Sequence, residues 1–317
     1  MRDGMLSFVI RRALAALLIV WAVVTIVFFS MRIIPADPAE VVLGDHASAE
    51  ALAAFRKQAG LDQPLLGQYL DLLAGLARGD LGRSMITNQP IGEQIAAAFP
   101  HTLALAIGVL LVGVVIGIPL GVMTAVKRGT WLDFSGRVFS LLGLSFPSFY
   151  VGIVLLIVFS VWLGWFPVIH APRTGTIGEA LYKLVLPSLS LGFVQAAYIA
   201  RLTRSTMLET LSQDYIRTAF AKGLRPSQVY FKHALRNVLI PVVTAIGLYT
   251  GAILGGAILT ETVFSRPGLG KLLIGAVAQR DYNLIQSGLI VFASIVILVN
   301  LLVDLSYGLL DPRVKNS

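Results

Sequence analysis

Residues 102–126 read TLALAIGVLLVGVVIGIPLGVMTAV, a run of 25 residues without one ionisable side chain. A helix rising about 1.5 Å per residue needs roughly 20 apolar residues to cross a hydrocarbon core about 30 Å thick, so this run is long enough to span a bilayer. In lipid its backbone amides have no water to bond, which leaves a helix as the form that satisfies them internally. Five further charge-free runs lie around it: Ala13 to Met31, Val138 to Leu163, Leu184 to Ala200, Val238 to Thr260 and Ile285 to Val303. Six crossings predict an all-α polytopic membrane protein. The composition agrees, since the 317 residues are 56% hydrophobic and 13% charged, with a mean hydropathy of +0.80, far from soluble norms.

Charge assigns a direction. With the N-terminus placed in the cytoplasm, the internal segments carry 15 basic and 6 acidic residues, and the external ones 10 and 11. That bias follows the positive-inside rule, and an even number of crossings returns both termini to the cytoplasm. Three regions result: 1–31 with the first span, an extracytoplasmic segment over 32–101 expected to hold short amphipathic helices, and a five-span core over 102–317. Arg11 and Arg12 before an apolar run also fit a cleaved secretory signal. The run exceeds the usual signal core and no small-x-small site follows it, so it reads as a signal anchor.

Membrane helices approach closely where small residues recur at four-residue spacing. Gly113, Gly117 and Gly121 form one such stripe in the second span, and Gly247, Gly251 and Gly255 another in the fifth. Each stripe packs within the chain, or faces a second subunit or a translocation path. Pro119, Pro147, Pro187 and Pro241 interrupt helical hydrogen bonding. The six runs hold no Asp, Glu, Lys, Arg or His, and hence no intramembrane proton relay of the kind that drives ion-coupled carriers. The energy for transport is expected from a partner.

The largest cytoplasmic loop, 201–237, holds seven basic and two acidic residues. Asp214 is expected to cap a short helix over Tyr215–Lys222 that Gly223 ends in a left-handed conformation, and Pro226 to start a second helix toward Arg236. Tyr215, Ile216, Ala219 and Phe220 form the apolar face of the short helix, with Arg217 and Lys222 elsewhere. It reads as a docking knob, or as an amphipathic helix on the anionic inner leaflet.

DYIRTAFAKG, Asp214 to Gly223, followed by HALRNVLIPVVT, His233 to Thr244, resembles the cytoplasmic EAA loop of the permease subunits of ATP-binding cassette (ABC) importers, in the dipeptide, oligopeptide, nickel and glutathione group. Ala219, Gly223 and Leu235 match the general pattern, and Pro241 matches the later proline of that group. LDQPLLGQYLDLLAGLARGDLGRS at 61–84, SFPSFYVG at 145–152, ETVFSRPGLGKLL at 261–273 and DPR at 311–313 are also similar to it. The resemblance implies the six-helix type I importer permease fold and location in a bacterial inner membrane. It further implies a coupling helix whose residues Asp214, Tyr215, Arg217, Thr218, Ala219, Phe220, Gly223 and Leu235 meet an ATPase subunit. The implied partners are a second, non-identical permease, two ATPases that carry ATP and Mg, and an extracytoplasmic substrate-binding protein. By position, Glu261 and Lys271 are candidate contacts for the binding protein.

Other chemistry is missing. No P-loop occurs, so ATP hydrolysis belongs to another polypeptide and this chain is expected to bind no cofactor and to be no enzyme. There is no cysteine, and His46, His101, His170 and His233 are scattered without HExxH, which argues against metal or protease chemistry. The membrane-tethered basic loop has no nucleic-acid-binding fold. The remaining alternative is a stand-alone ion-coupled carrier or channel.

Overall fold

The computed structural model describes residues 2–33, 38–44, 47–58, 60–167 and 176–310. His46, His170 and the closing DPR lie outside them. Among the described residues no strand forms, apart from an isolated bridge between Arg83 and Pro90. Five helices are long and apolar enough to cross a membrane, and a bent pair makes a sixth. The chain divides into two units, Met1–Pro100 with Pro267–Ser317, and His101–Arg266.

The helices, in chain order, are α1 (Arg2–Ile33), α2 (Pro38–Leu43), α3 (Ala49–Gln58), α4 (Leu65–Ala77), α5 (Ile91–Val126), α6 (Trp131–Ser145), α7 (Ser148–Leu155), α8 (Ile177–Leu211), α9 (Asp214–Ala221), α10 (Pro226–Gln228), α11 (Leu235–Val263), α12 (Leu269–Gln279) and α13 (Tyr282–Leu310). A π-helical stretch over Leu156–Trp162 follows α7, and another over Val229–Ala234 leads into α11.

In the first unit α1 and α13 run antiparallel. Arg12 meets Asp304 at 2.8 Å near one end of the pair, and Arg32 meets Gln286 at 2.7 Å near the other. Tyr69 on α4 shares a hydrogen bond of 2.7 Å with Thr25 and joins Phe28 and Phe29 in an aromatic cluster. The turns that end α4 and lead to Ser84 pass through Gly79 and Gly82, each at φ +77. Asp281 then caps α13, accepting from the Leu284 amide at 3.1 Å while also taking the Ser84 hydroxyl and the Met85 amide.

The second unit is organised around α8, which packs on α6, α7 and α11 and through its small-residue contacts on α5. Its most apolar stretch has a mean hydropathy of 1.3, against 2.0 to 2.8 for the other four long helices. Surrounded by protein rather than lipid, it can carry Ser188, Ser190, Gln195 and Thr203, all buried. The helix also continues past Arg201 to Leu211, so the first part of the expected 201–237 loop is an extension of the span.

The third span differs from its expected form. Val138 to Leu163 is not one helix, because the chain turns by 105° between α6 and the helix that begins at Ser148. Pro147 causes the break. Its ring disfavours helical geometry in the residue before it, and Phe146 is extended at φ −90, ψ 133. Pro147 itself precedes the first helical residue of α7, where a missing N–H costs little. Pro187 and Pro241, by contrast, stay inside α8 and α11.

Candidate coupling site

The region singled out in the sequence folds into a compact elbow. Gln213, in extended conformation, precedes α9, and Asp214 is its first helical residue rather than its cap. There its carboxylate faces the positive end of the helix dipole. Arg217 lies 3.5 Å from Asp214, but with side chains 80% and 95% exposed the pair contributes little to stability. The Thr218 hydroxyl donates to the Asp214 carbonyl at 3.0 Å.

The far end of α9 closes in a Schellman motif. Gly223 adopts φ +75, its N–H reaches the Phe220 carbonyl at 2.9 Å, and the Leu224 N–H reaches the Ala219 carbonyl at 3.4 Å. Arg225 is extended ahead of Pro226, as a pre-proline residue prefers, and Pro226 opens α10. The second helix therefore begins where expected. It does not stop at Arg236 but runs through the π-helical stretch directly into α11.

Burial separates the faces of α9. Ile216 is 1% exposed, and with Ala219 it enters a core made by Val122 and Ala125 of α5, Ile199 and Met207 of α8, Val229 and Ala234 of the π-helical stretch, and Val238, Val242 and Ile246 of α11. The inner half of the apolar face is thus consumed by the chain itself. Tyr215 and Phe220 sit at the flanks, half exposed. Asn237 donates to the Tyr215 hydroxyl at 2.8 Å, and Phe220 meets Tyr230 edge-on at 6.1 Å. Leu235 packs on the same core. What faces outward is Asp214, Arg217, Thr218, Ala221 and Lys222.

A second fastening ties α8 to α6 and was not legible in the sequence. Asp133, 2% exposed, receives Arg204 Nε at 2.8 Å on one oxygen and Nη2 at 3.1 Å on the other, plus the Gly129 amide at 3.1 Å. Arg137 adds a contact at 3.6 Å. The only hint lay in Asp133 being the single carboxylate beside Lys127, Arg128 and Arg137.

The glycine stripes have different environments. A Cβ on Gly113 would lie 2.4 Å from Gln195, on Gly117 2.7 Å from Ile199, and on Gly121 2.5 Å from Thr203. This stripe lets α5 lie directly on α8, within the chain. In α11, Gly247 and Gly251 are half-buried, while Gly255 is exposed with nothing within 4 Å of its Cβ position. A Cβ on Gly256 beside it would lie 2.9 Å from Leu191.

Glu261 is placed contrary to its expected surface position. It is 0% exposed and accepts from the Thr102 hydroxyl at 2.6 Å. Arg266, also buried, donates from its backbone to the Glu261 carbonyl at 2.8 Å and from Nε to the His101 carbonyl at 3.1 Å. Burial lowers the Arg266 pKa, and the Glu261 charge opposes that shift. A carboxylate enclosed in this way offers no surface to a docking protein. Lys271, in the other unit, is exposed.

The chain is similar to known proteins along nearly its whole length. The family described as "Binding-protein-dependent transport system inner membrane component" matches residues 117–316, and its N-terminal companion matches 5–106. The chain is 43% identical to the di/tripeptide transport system permease protein DppB of Pseudomonas aeruginosa, covering 98% of this chain and 99% of that one. It is 40% identical to the dipeptide permease DppB of Alkalihalophilus pseudofirmus over 98% and 100%. It is 41% identical to the glutathione permease GsiC of Salmonella choleraesuis over 98% and 99%. With α9 seated on the ends of three long helices and both halves of the chain matched, this protein belongs to the binding-protein-dependent inner-membrane components, the type I permeases of ABC transport systems.

Proposed function

We propose that the chain forms half of the translocation path of an ATP-driven importer for short peptides, glutathione included, since glutathione is itself a tripeptide. The substrates named for its relatives support this class. A second, non-identical permease completes the path, two ATPases bind ATP and Mg, and an extracytoplasmic protein delivers substrate. Both termini and α9 lie in the cytoplasm, as the excess of basic residues in those segments favours.

The observation that carries the reading is the division of α9 into an inner face buried in the chain's core and an outer polar face. An ATPase that grips the outer face moves a body continuous with α5, α8 and α11. Coupling then needs no flexible linkage. Residues of one helix held by Ile216 and Ala219 transmit rigid-body displacement because a packed core resists deformation.

The chain has no cysteine, so Thr218→Cys supplies a single thiol. It is expected to crosslink to the ATPase subunit and to react with a membrane-impermeant maleimide in inside-out vesicles alone. Labelling in right-side-out vesicles with none in inverted ones would overturn the orientation and the coupling role together.

A further inference from the structure

Two arginines mark the ends of the apolar part of α1. Arg12 and Arg32 stand about 30 Å apart along a helix rising about 1.5 Å per residue, which matches the thickness of a hydrocarbon core. The antiparallel α13 meets both of them, with different chemistry. Arg12 is answered by the Asp304 carboxylate. Arg32 is answered by amides: Nη1 donates to Gln286 Oε1 at 2.7 Å, while Nε and Nη2 donate to Gln68 Oε1 at 3.3 and 2.9 Å. Among the described residues no carboxylate pairs with Arg32.

The arrangement is fixed in advance. Gln68 donates from Nε2 to the Leu61 and Gln63 carbonyls at 3.3 and 3.0 Å, which turns its acceptor oxygen to Arg32. The guanidinium carbon stands 4.3 Å from the centre of the Phe28 ring. Three of the five guanidinium N–H groups are used in these bonds and two are left over. Arg32 lines a cavity of about 300 Å³, together with Arg56, Met31, Leu65 and Met85. All of these residues belong to one unit.

We propose that this cavity binds the phosphate of an anionic phospholipid headgroup. The guanidinium of Arg32 receives the phosphate through its two remaining donors, Arg56, whose guanidinium stands 3.9 Å from the Glu40 carboxylate, lines the same cavity, and Met31, Leu65 and Met85 supply an apolar wall for the glycerol and first methylenes. The chemistry of recognition is that of any oxyanion, but the setting selects a lipid. The cavity lies at the end of a spanning helix, at headgroup depth. On α4 beside it, Leu65, Leu66 and Leu70 are 53%, 68% and 55% exposed, an apolar rim of no use to a free phosphate ion. The assignment goes beyond the transport reading and does not depend on which membrane face is cytoplasmic.

The test uses the full chain, delipidated in detergent and titrated with dihexanoylphosphatidylglycerol by native mass spectrometry. One saturable binding event is expected, weakened about tenfold or more by Arg32→Gln, and also by Arg32→Lys, which keeps the charge but loses the planar fork. On the unaltered chain, dihexanoylglycerol, which lacks the phosphate, is expected not to bind, and inorganic phosphate to bind much more weakly. Binding to Arg32→Gln within twofold of the original, or equal binding of dihexanoylglycerol, would overturn the site. Inorganic phosphate binding as tightly as the lipid would overturn the lipid assignment. Should Arg32→Gln fail to fold, the three-ligand comparison on the unaltered chain still decides.

Discussion

Replacing Gly223 by valine isolates the backbone geometry of the coupling elbow from everything else there. Gly223 sits at φ +75, and a Cβ built on it meets no heavy atom within 4 Å. A steric clash is therefore not the expected effect, and the cost is conformational. Holding a non-glycine residue in the left-handed region costs roughly 1–2 kcal/mol, toward the upper end or beyond for a β-branched one. Against a total stability of about 5–15 kcal/mol that leaves the fold standing, but it shifts a local equilibrium by a factor of roughly 5–30. The equilibrium affected is the one that closes α9, because the Gly223 and Leu224 amides bond to Phe220 and Ala219 only while this geometry holds. Gly223→Val is thus expected to assemble normally and to hydrolyse ATP, yet to lose most uptake of a labelled peptide in proteoliposomes holding the complete importer. Gly223→Asn, which tolerates the left-handed region, is expected to retain most uptake. Full coupling in the valine variant would refute the argument. So would equal loss in both variants, since that would point to side-chain bulk meeting a partner and not to backbone strain.

Four other substitutions follow from the packing. Gly117→Val would drive a side chain into Ile199 and the Ala196 carbonyl, both under 3 Å from its Cβ, and is expected to cost about 1–3 kcal/mol or more. Gly255→Ala, in open space, should leave the thermal midpoint of the isolated chain unchanged. Arg204→Ala leaves the buried Asp133 with only the Gly129 amide and the longer Arg137 contact and is expected to destabilise by up to about 3–5 kcal/mol, with Asp133→Leu in the same chain restoring much of it, as read by chemical denaturation in detergent. Ile216→Ala removes a wholly buried side chain under α9 and should cost about 2–5 kcal/mol locally. Faster proteolysis between residues 212 and 225 would report it, and unchanged cleavage would contradict the buried role.

The six charge-free runs were readable because bilayer thickness imposes a length, and length survives in a one-dimensional string. Gly223 and Pro226 were readable because their backbone restrictions are local. Features that depend on partners distant in sequence were not. Asp133 and Arg204 are 71 positions apart, and each in isolation reads as one more loop charge. Glu261 looked external because it follows a span, yet Thr102 and the fold around Arg266 enclose it. Pro147 stands in plain view in the sequence but its consequence does not, since a count of apolar residues runs straight through a 105° turn. The inward half of α9 was hidden for a related reason. An apolar helical face advertises that it will be covered, but not by what.

The seat of α9 has a consequence for biogenesis. Its floor is assembled from Val122, Ile199, Met207 and Val242, which belong to three helices spread over more than a hundred residues of chain. A polypeptide with any of the three wrongly inserted has no ledge on which Ile216 can rest, and its elbow is left unsupported. On the proposed function, an ATPase that recognises the seated elbow inspects membrane insertion as it docks, and subunits that failed to insert correctly are left without a motor.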